Sequence, residues 1–130
     1  GLNLLNAAIA DCAWLRNRHV PAEAVQAGYI WTCTWEGDKH GLDYARFQQV
    51  CRDLKAPLRF GFTGAPAYTF DVFKGSTAYH VPDRYHEGLC PTAEDLIPRL
   101  VQSGLIEVPL DEVKRRADLV REAIRITEQG

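Results

Sequence analysis

Hydrophobic positions recur along the chain with two periods, one typical of helices and one typical of strands. Between Leu2 and Arg18 the apolar residues follow the spacing of one helical face, which predicts an amphipathic helix. That face comprises Leu5, Ala8, Ile9, Cys12 and Leu15. Between Tyr29 and Trp35 the period changes to two, which predicts a strand with its large side chains on one side. These side chains are Tyr29, Trp31, Cys33 and Trp35.

A second helix is predicted after the polar turn EGDKHG. Asp43 can cap its first turn, and Leu42 can pack onto Phe47 as a hydrophobic staple. The buried stripe of this helix comprises Phe47, Val50, Cys51 and Leu54. Pro57 is expected to end it. The alternation in LRFGF then predicts a second strand, with Leu58, Phe60 and Phe62 on one side.

The regular pattern stops between Thr63 and Leu89, a stretch rich in glycine, proline and aromatic residues. A loop of this length within a small domain is usually functional or mobile. Beyond it, LIEV at Leu105 to Val108 predicts a third strand. The last helix is predicted from Leu110 to Glu128, with Glu112 placed to pair with Arg116 one turn later. Its predicted buried positions are Val113, Ala117, Val120 and Ile124.

The segment CPTAEDLIPRL predicts a short helix. Thr92 can cap it with Asp95 three residues later, and Pro98 predicts a break at Leu96–Ile97 because proline lacks the N–H of a continuing helix. Two interpretations remain for this helix. It fixes the end of a pocket loop, or it is only a cap and a turn.

Together these elements predict a small α+β domain with a short, mostly antiparallel sheet of about three strands and helices packed on one face. Composition agrees with a globular protein: 46% of residues are hydrophobic and the net charge is −2. No cluster of basic residues favours nucleic acid. No apolar run approaches a length of about 20 residues, which a membrane-spanning helix requires. We therefore expect neither nucleic-acid nor membrane partners.

The four cysteines are scattered, without a C-x-x-C pair. This spacing favours reduced thiols of a cytoplasmic protein, with a secreted disulfide framework as the alternative. The chain contains no methionine. We therefore expect that Gly1 is not a natural start, and that the chain belongs to something longer or was cut.

Motifs for chemistry are scarce. The sequence has no glycine-rich phosphate loop, no H-E-x-x-H and no G-x-S-x-G. His80, His86 and Cys90 could be imagined as zinc ligands, but their spacing fits no metal template. A Cys90–His86 nucleophile would need a lowered thiol pKa, and HEGLCP offers no cation beyond the histidine. We therefore predict no metal site and no catalytic residue in this chain.

Four segments in order resemble the C-terminal small domain of the DegT/DnrJ/StrS family, which comprises pyridoxal-phosphate-dependent aminotransferases acting on keto-sugars and keto-cyclitols. The segments are NAAIADCAWL, FQQVCRDLKAPLRFGF, APAYTFDVF and CPTAEDL. Asn6-Ala7 matches the family's first motif, and Leu54 to Pro57 stands at its helix end. Cys90, Pro91, Ala93 and Glu94 match its C-P-x-A-E helix start. PAYTFDVF is most similar to members that aminate inososes.

The resemblance implies the small domain of a fold-type I enzyme. A large N-terminal domain of the same protein, absent from residues 1–130, would hold the pyridoxal phosphate, and the intact enzyme would be a cytoplasmic homodimer. The resemblance also implies two substrate-binding positions. Phe62 stands where the family has a pocket tyrosine and Tyr68 where it has a pocket histidine, with Gly64 and Ala65 as two extra residues between them. These departures leave the keto substrate open.

Tyr68 could contact substrate through its hydroxyl, or it could be a loop aromatic packed on its own domain. Phe62 is expected in the core or the pocket wall. Arg59 and Arg84 could meet a carboxylate, although exposure to solvent is the ordinary state of arginine.

The lysines are expected to be solvated, whereas a Schiff-base lysine needs a desolvated pocket. They are Lys39, Lys55, Lys74 and Lys114. The chain alone is therefore predicted to lack the catalytic lysine, to bind no pyridoxal phosphate and to be inactive. The alternative is a non-catalytic binding or regulatory module that reuses this small domain.

Overall fold

In the computed structural model, the described residues are 1–62, 64–71, 73 and 85–130. The helices are α1 (Leu2–Ala8), α2 (Tyr44–Asp53), α3 (Pro91–Leu96) and α4 (Leu110–Glu128). The strands are β1 (Leu15–Asn17), β2 (Ile30–Trp35), β3 (Arg59–Phe60) and β4 (Leu100–Gly104). Short 3-10 turns occupy Gly37–His40, Ala67–Thr69 and Ile97–Arg99. None of the helices in the described ranges has the length and apolar character that crossing a membrane requires.

The predicted α+β class is confirmed, but the described residues form a sheet of four strands rather than about three. Their order is β1-β2-β4-β3, and each neighbouring pair is antiparallel. Strand β2 is therefore central, with Trp35 opposite Leu15 of β1 and Cys33 opposite Val101 of β4. On the other edge of β4, Phe60 of β3 lies opposite Val101.

One face of the sheet buries aromatic residues beneath a layer of helices. Trp31, Cys33 and Trp35 are all buried, as the period of two predicts. Trp35 packs its ring against Trp14 at 5.1 Å and stacks on Phe47 of α2 at 5.3 Å. Helices α1, α2 and α4 add their own buried side chains to the same cluster, so the core lies between these helices and this face of the sheet.

The helix predicted from Leu2 to Arg18 was too long, because α1 ends at Ala8. The N–H of Cys12 bonds to the carbonyl of Ile9 at 3.1 Å, which turns the chain toward the sheet. Leu15 is buried within β1 instead of on a helix. Helical spacing misled here because both placements bury an apolar residue at this position.

The second helix is confirmed in its start and corrected in its end. The side chain of Asp43 accepts a hydrogen bond from the N–H of Ala45 at 2.9 Å, the expected cap. Helix α2 ends at Asp53, four positions before Pro57. The chain leaves the helix at Lys55, whose φ of 53° lies in the left-handed region.

The strand predicted in LRFGF is reduced to Arg59–Phe60. Gly61 follows with a φ of 62°, a conformation that glycine adopts without strain and that ends the strand. Phe62 is consequently turned out and is 60% exposed, so it does not join Leu58 and Phe60 against the core. Tyr29, the residue before β2, is also outside its predicted face, with 63% of its surface exposed.

The strand predicted at Leu105 to Val108 is wrong. The strand is β4, one segment earlier, and Leu105 to Val108 forms a turn in which Glu107 has a φ of 53°. Val101 and Ser103 of β4 are buried beside β2, so pairing with the central strand outweighs the low hydrophobicity of VQSG.

Helix α3 begins at Pro91, with Cys90 at the capping position and no side-chain cap. Thr92 therefore lies inside the helix and does not cap it, because proline already occupies the first helical position. The predicted break at Leu96–Ile97 is confirmed, since a 3-10 turn at Ile97–Arg99 follows.

Helix α4 has the predicted bounds, and Glu112 bonds to Arg116 at 2.9 Å as expected. Three of its predicted buried positions are buried, while Ile124 is half-buried and its neighbour Ala123 is buried instead. The four cysteines are free; Cys33 and Cys51 are buried, Cys12 is half-buried and Cys90 is exposed. Of the long loop predicted from Thr63 to Leu89, residues 63, 72 and 74–84 lie outside the described residues, and so do Lys74, His80 and Arg84.

Candidate functional site

A cleft of about 350 Å³ lies where the 3-10 turn Ala67–Thr69 meets the start of α3. We call it the Tyr68 cleft. Its described lining includes Pro66, Tyr68, Thr69, Tyr85, His86 and Glu94. It is the place where the structure brings Tyr68 together with the CPTAEDL segment.

Two local structures present the side chains of this cleft. On one side, the N–H and the hydroxyl of Thr69 both bond to the carbonyl of Pro66, at 2.9 Å and 2.7 Å, which closes a tight turn around Tyr68. On the other side, Pro91 starts α3 and places Glu94 in its first turn. A carboxylate is favourable there because the N-terminal end of a helix carries partial positive charge.

Glu94 ties these two sides together. Its carboxylate accepts a hydrogen bond from the hydroxyl of Tyr68. The same carboxylate accepts the N–H of Gly88, at 2.8 Å to one oxygen and 2.9 Å to the other. Gly88 has a φ of 87°, a conformation that favours glycine. The hydroxyl oxygen of Tyr68 in turn accepts the N–H of Cys90 at 3.2 Å.

These contacts fix the protonation of both groups. Desolvation and the bond to Glu94 raise the pKa of Tyr68 to about 12. The bond from Tyr68 lowers the pKa of Glu94 below its usual value, and the N–H of Gly88 acts in the same direction. At neutral pH the cleft therefore holds a neutral phenol beside an ionised carboxylate.

The bonding pattern also decides what Tyr68 can do. A phenol has one proton to donate and two lone pairs to accept with. Its proton is committed to Glu94, and one lone pair accepts from Cys90. The remaining capacity of the oxygen is to accept a hydrogen bond, so Tyr68 suits a ligand that offers a hydroxyl or an N–H group.

Phe62, the other predicted substrate-binding residue, is not brought to the same place. It is 60% exposed and is not among the described residues that line the Tyr68 cleft. The substrate roles of Tyr68 and Phe62 stay predictions. Glu94 is the residue whose part in the cleft was missed. Its position in the C-P-x-A-E segment was visible, but only the fold shows that Tyr68 is its partner.

Within the described ranges no three histidine, cysteine, aspartate or glutamate side chains are grouped to hold a metal ion. His86 is exposed, and its Nδ1 lies 2.8 Å from the carbonyl oxygen of Glu87. Cys90 is exposed as well. The third ligand considered for zinc, His80, lies outside the described residues.

Pyridoxal phosphate requires a lysine for its aldehyde and an acid for its ring nitrogen. Lys39 is solvated and pairs with Glu36 at 3.4 Å, while Lys55 and Lys114 are exposed. No lysine is among the described residues that line the cleft. These residues do not fit the cofactor. The predicted failure of the isolated chain to bind it stays a prediction.

No protein-family model matches the chain, and no curated protein matches it either. The resemblance to sugar aminotransferases therefore stays a prediction.

Proposed function

We propose that the chain is the C-terminal small domain of a pyridoxal-phosphate-dependent aminotransferase that transfers an amino group to a keto-sugar or keto-cyclitol. In this proposal a large domain of the same protein provides the cofactor and its lysine, and the intact enzyme is a homodimer. The small domain contributes to binding of the keto substrate and is inactive alone.

One observation carries this proposal: the bond between Tyr68 and Glu94. Tyr68 belongs to APAYTFDVF and Glu94 to CPTAEDL, two of the segments on which the resemblance rests. They are distant in sequence and meet in the Tyr68 cleft. Convergence of both segments on one cleft is expected of a binding site, and this supports the proposal.

The chemistry of the cleft suits the substrate class. Keto-sugars and keto-cyclitols carry several hydroxyl groups, which donate hydrogen bonds. Tyr68 offers an acceptor that Glu94 holds in a fixed orientation, and the ionised carboxylate of Glu94 is a second acceptor beside it. We assign to Tyr68 the binding of a substrate hydroxyl and to Glu94 the positioning of Tyr68.

The α+β fold, with helices over one face of an antiparallel sheet, supports the proposal at a coarser level. Many unrelated functions use folds of this kind, so the fold adds less weight than the cleft.

The test is borohydride trapping of pyridoxal phosphate in the full-length protein that carries this chain, with the 130-residue chain as control. We expect stoichiometric labelling of one lysine upstream of Gly1 and none in the chain alone. A gene whose start codon lies close to Gly1, or a full-length protein without a trapped lysine, would favour the non-catalytic module instead.

A further inference from the structure

The sheet face opposite helices α1, α2 and α4 carries a polar row across three strands. Thr32 of β2 lies opposite Gln102 of β4, and Gln102 lies opposite Arg59 of β3. Side chains alternate along a strand. Since Cys33 and Val101 point into the core, their neighbours Thr32 and Gln102 point to the other face.

A cavity of about 500 Å³ opens beside this row. We call it the sheet cavity. Its lining includes Tyr29, Ile30, Leu58, Arg59, Gln102 and Gly104. Gly104 follows Gln102 by two positions and therefore lies on the same face. A methyl group at Gly104 would meet no atom within 4 Å, so the absence of a side chain there contributes open space to the cavity.

Two polar groups of the sheet cavity have no partner in the part of the chain that the structure describes. Gln102 is only 6% exposed, yet its side-chain amide forms no hydrogen bond with any described residue. Arg59 forms no ion pair there either. By contrast, Arg116 at the rim is bonded to Glu112 at 2.9 Å and to the carbonyl of Gly104 at 2.7 Å. The amide of Gln102 is not among the fully buried side-chain atoms that lack a partner, so it reaches the open space of the cavity, where a ligand could bond to it.

We propose that the sheet cavity binds a small carboxylic acid with an apolar body. The fork of a guanidinium matches both oxygens of a carboxylate, and the amide of Gln102 is a neighbouring planar donor. No acidic residue is among the described residues that line this cavity, so the charge of Arg59 is available to an anion. Ile30, Leu58 and Ile106 provide apolar walls for the rest of the molecule.

This site shares no described lining residue with the Tyr68 cleft. The proposal for the sheet cavity is therefore independent of the proposed aminotransferase function.

The experiment is a ¹H–¹⁵N NMR titration of the 130-residue chain with phenylacetate, and with phenylacetamide as the neutral control. We expect phenylacetate to shift the side-chain resonances of Gln102 and Arg59. Phenylacetamide should bind at least about tenfold more weakly than phenylacetate, because it cannot form the charge-assisted pair with Arg59. Arg59→Gln should weaken phenylacetate binding by a similar factor. Gly104→Leu should abolish it by filling the cavity.

Arg121→Gln is the matched control, since Arg121 lies on α4 in an exposed pair with Asp118 and should leave binding unchanged. Arg59 is exposed, so its substitution should preserve the fold, which the backbone amide resonances of the variant will report. Unmoved Gln102 and Arg59 resonances at millimolar phenylacetate would overturn the proposal. Equal affinity for acid and amide, or normal binding by Arg59→Gln, would overturn it as well.

Discussion

The carboxylate of Glu94 accepts a hydrogen bond from the hydroxyl of Tyr68, which lies 26 positions earlier in the chain. This bond joins the turn after Pro66 to the first turn of α3, and the N–H groups of Gly88 and Cys90 complete the contact from the intervening segment. A tyrosine whose proton is committed in this way acts as an acceptor toward any ligand. The orientation of the Tyr68 hydroxyl is therefore set before any ligand arrives.

Titration of the tyrosines tests this contact directly. The pKa of Tyr68 is raised to about 12, so the neutral phenol stabilises the fold below the ordinary value of about 10, and this contribution is lost as pH rises through about 12. Glu94→Gln should lower the pKa of Tyr68, because the negative charge beside the phenol is removed. Ultraviolet titration of the wild type, Glu94→Gln and Tyr68→Phe measures the pKa of Tyr68.

Burial also raises the pKa of Tyr44 to about 12. The wild-type curve should therefore contain a late phase to which both tyrosines contribute, and Tyr68→Phe should remove only part of it. A late phase that is unchanged in Tyr68→Phe would show that Tyr68 is not held by Glu94.

Acid stability should depend on Glu112. Arg115 and Arg116 bond to its carboxylate and lower its pKa to about 2. A lowered folded-state pKa gives stability that is present above the unfolded value and lost as pH falls through the folded one. We expect Glu112→Gln to lower the free energy of unfolding near neutral pH. The variant should also lose less stability than the wild type as the pH falls from about 4.3 to about 2.

Urea unfolding at a series of pH values measures this dependence. Glu122→Gln is the comparison, because among the described residues Glu122 pairs with Arg125 alone, and both side chains are about half-exposed. Its effect should be smaller, since exposed pairs contribute little. Equal effects of the two substitutions would contradict the role given to Arg116, which also bonds to the carbonyl of Gly104 in β4.

Asn6 anchors the buried Trp31 of β2. Its side-chain oxygen accepts the indole N–H of Trp31 at 2.9 Å, and its backbone carbonyl accepts the amide of Asn17 at 3.1 Å. Asn6→Ala leaves the indole unpaired, which should lower the free energy of unfolding by about 1–3 kcal/mol. Asn3→Ala, on the exposed side of the same helix, should change it by less than about 0.5 kcal/mol. Thermal unfolding of both variants measures these two changes in the free energy of unfolding.

The sequence predicted correctly those elements whose hydrophobic pattern or cap fits only one secondary structure. Helix α4 repeats its apolar stripe over five turns, β2 alternates three buried aromatic or thiol side chains with threonines, and Asp43 caps α2 as expected. One error falls where two placements bury the same residue. Leu15 suits a helix face and a strand equally, and only the neighbouring Trp35 decides between them.

The candidate sites were harder to predict for a similar reason. The position of Tyr68 could be singled out from the sequence, but its partner Glu94 could not, because a hydrogen bond between distant segments leaves no periodic signal. The row formed by Thr32, Gln102 and Arg59 likewise depends on strand register. Gln102 lies in VQSG, which gave no strand signal, so the polar row was invisible before the sheet was known.

The measurement that tests the central claim most directly is steady-state amino transfer by the full-length protein with a panel of inososes and keto-sugars. The wild type should aminate at least one of them. Tyr68→Phe should raise its KM several-fold, because one hydrogen bond to a neutral group contributes about 0.5–1.5 kcal/mol. The cofactor's absorbance should stay unchanged. Tyr29→Phe, an exposed tyrosine outside the described lining of the cleft, is the matched control. Amination of none of these substrates by a protein that holds pyridoxal phosphate, or identical kinetics in Tyr68→Phe, would contradict the account.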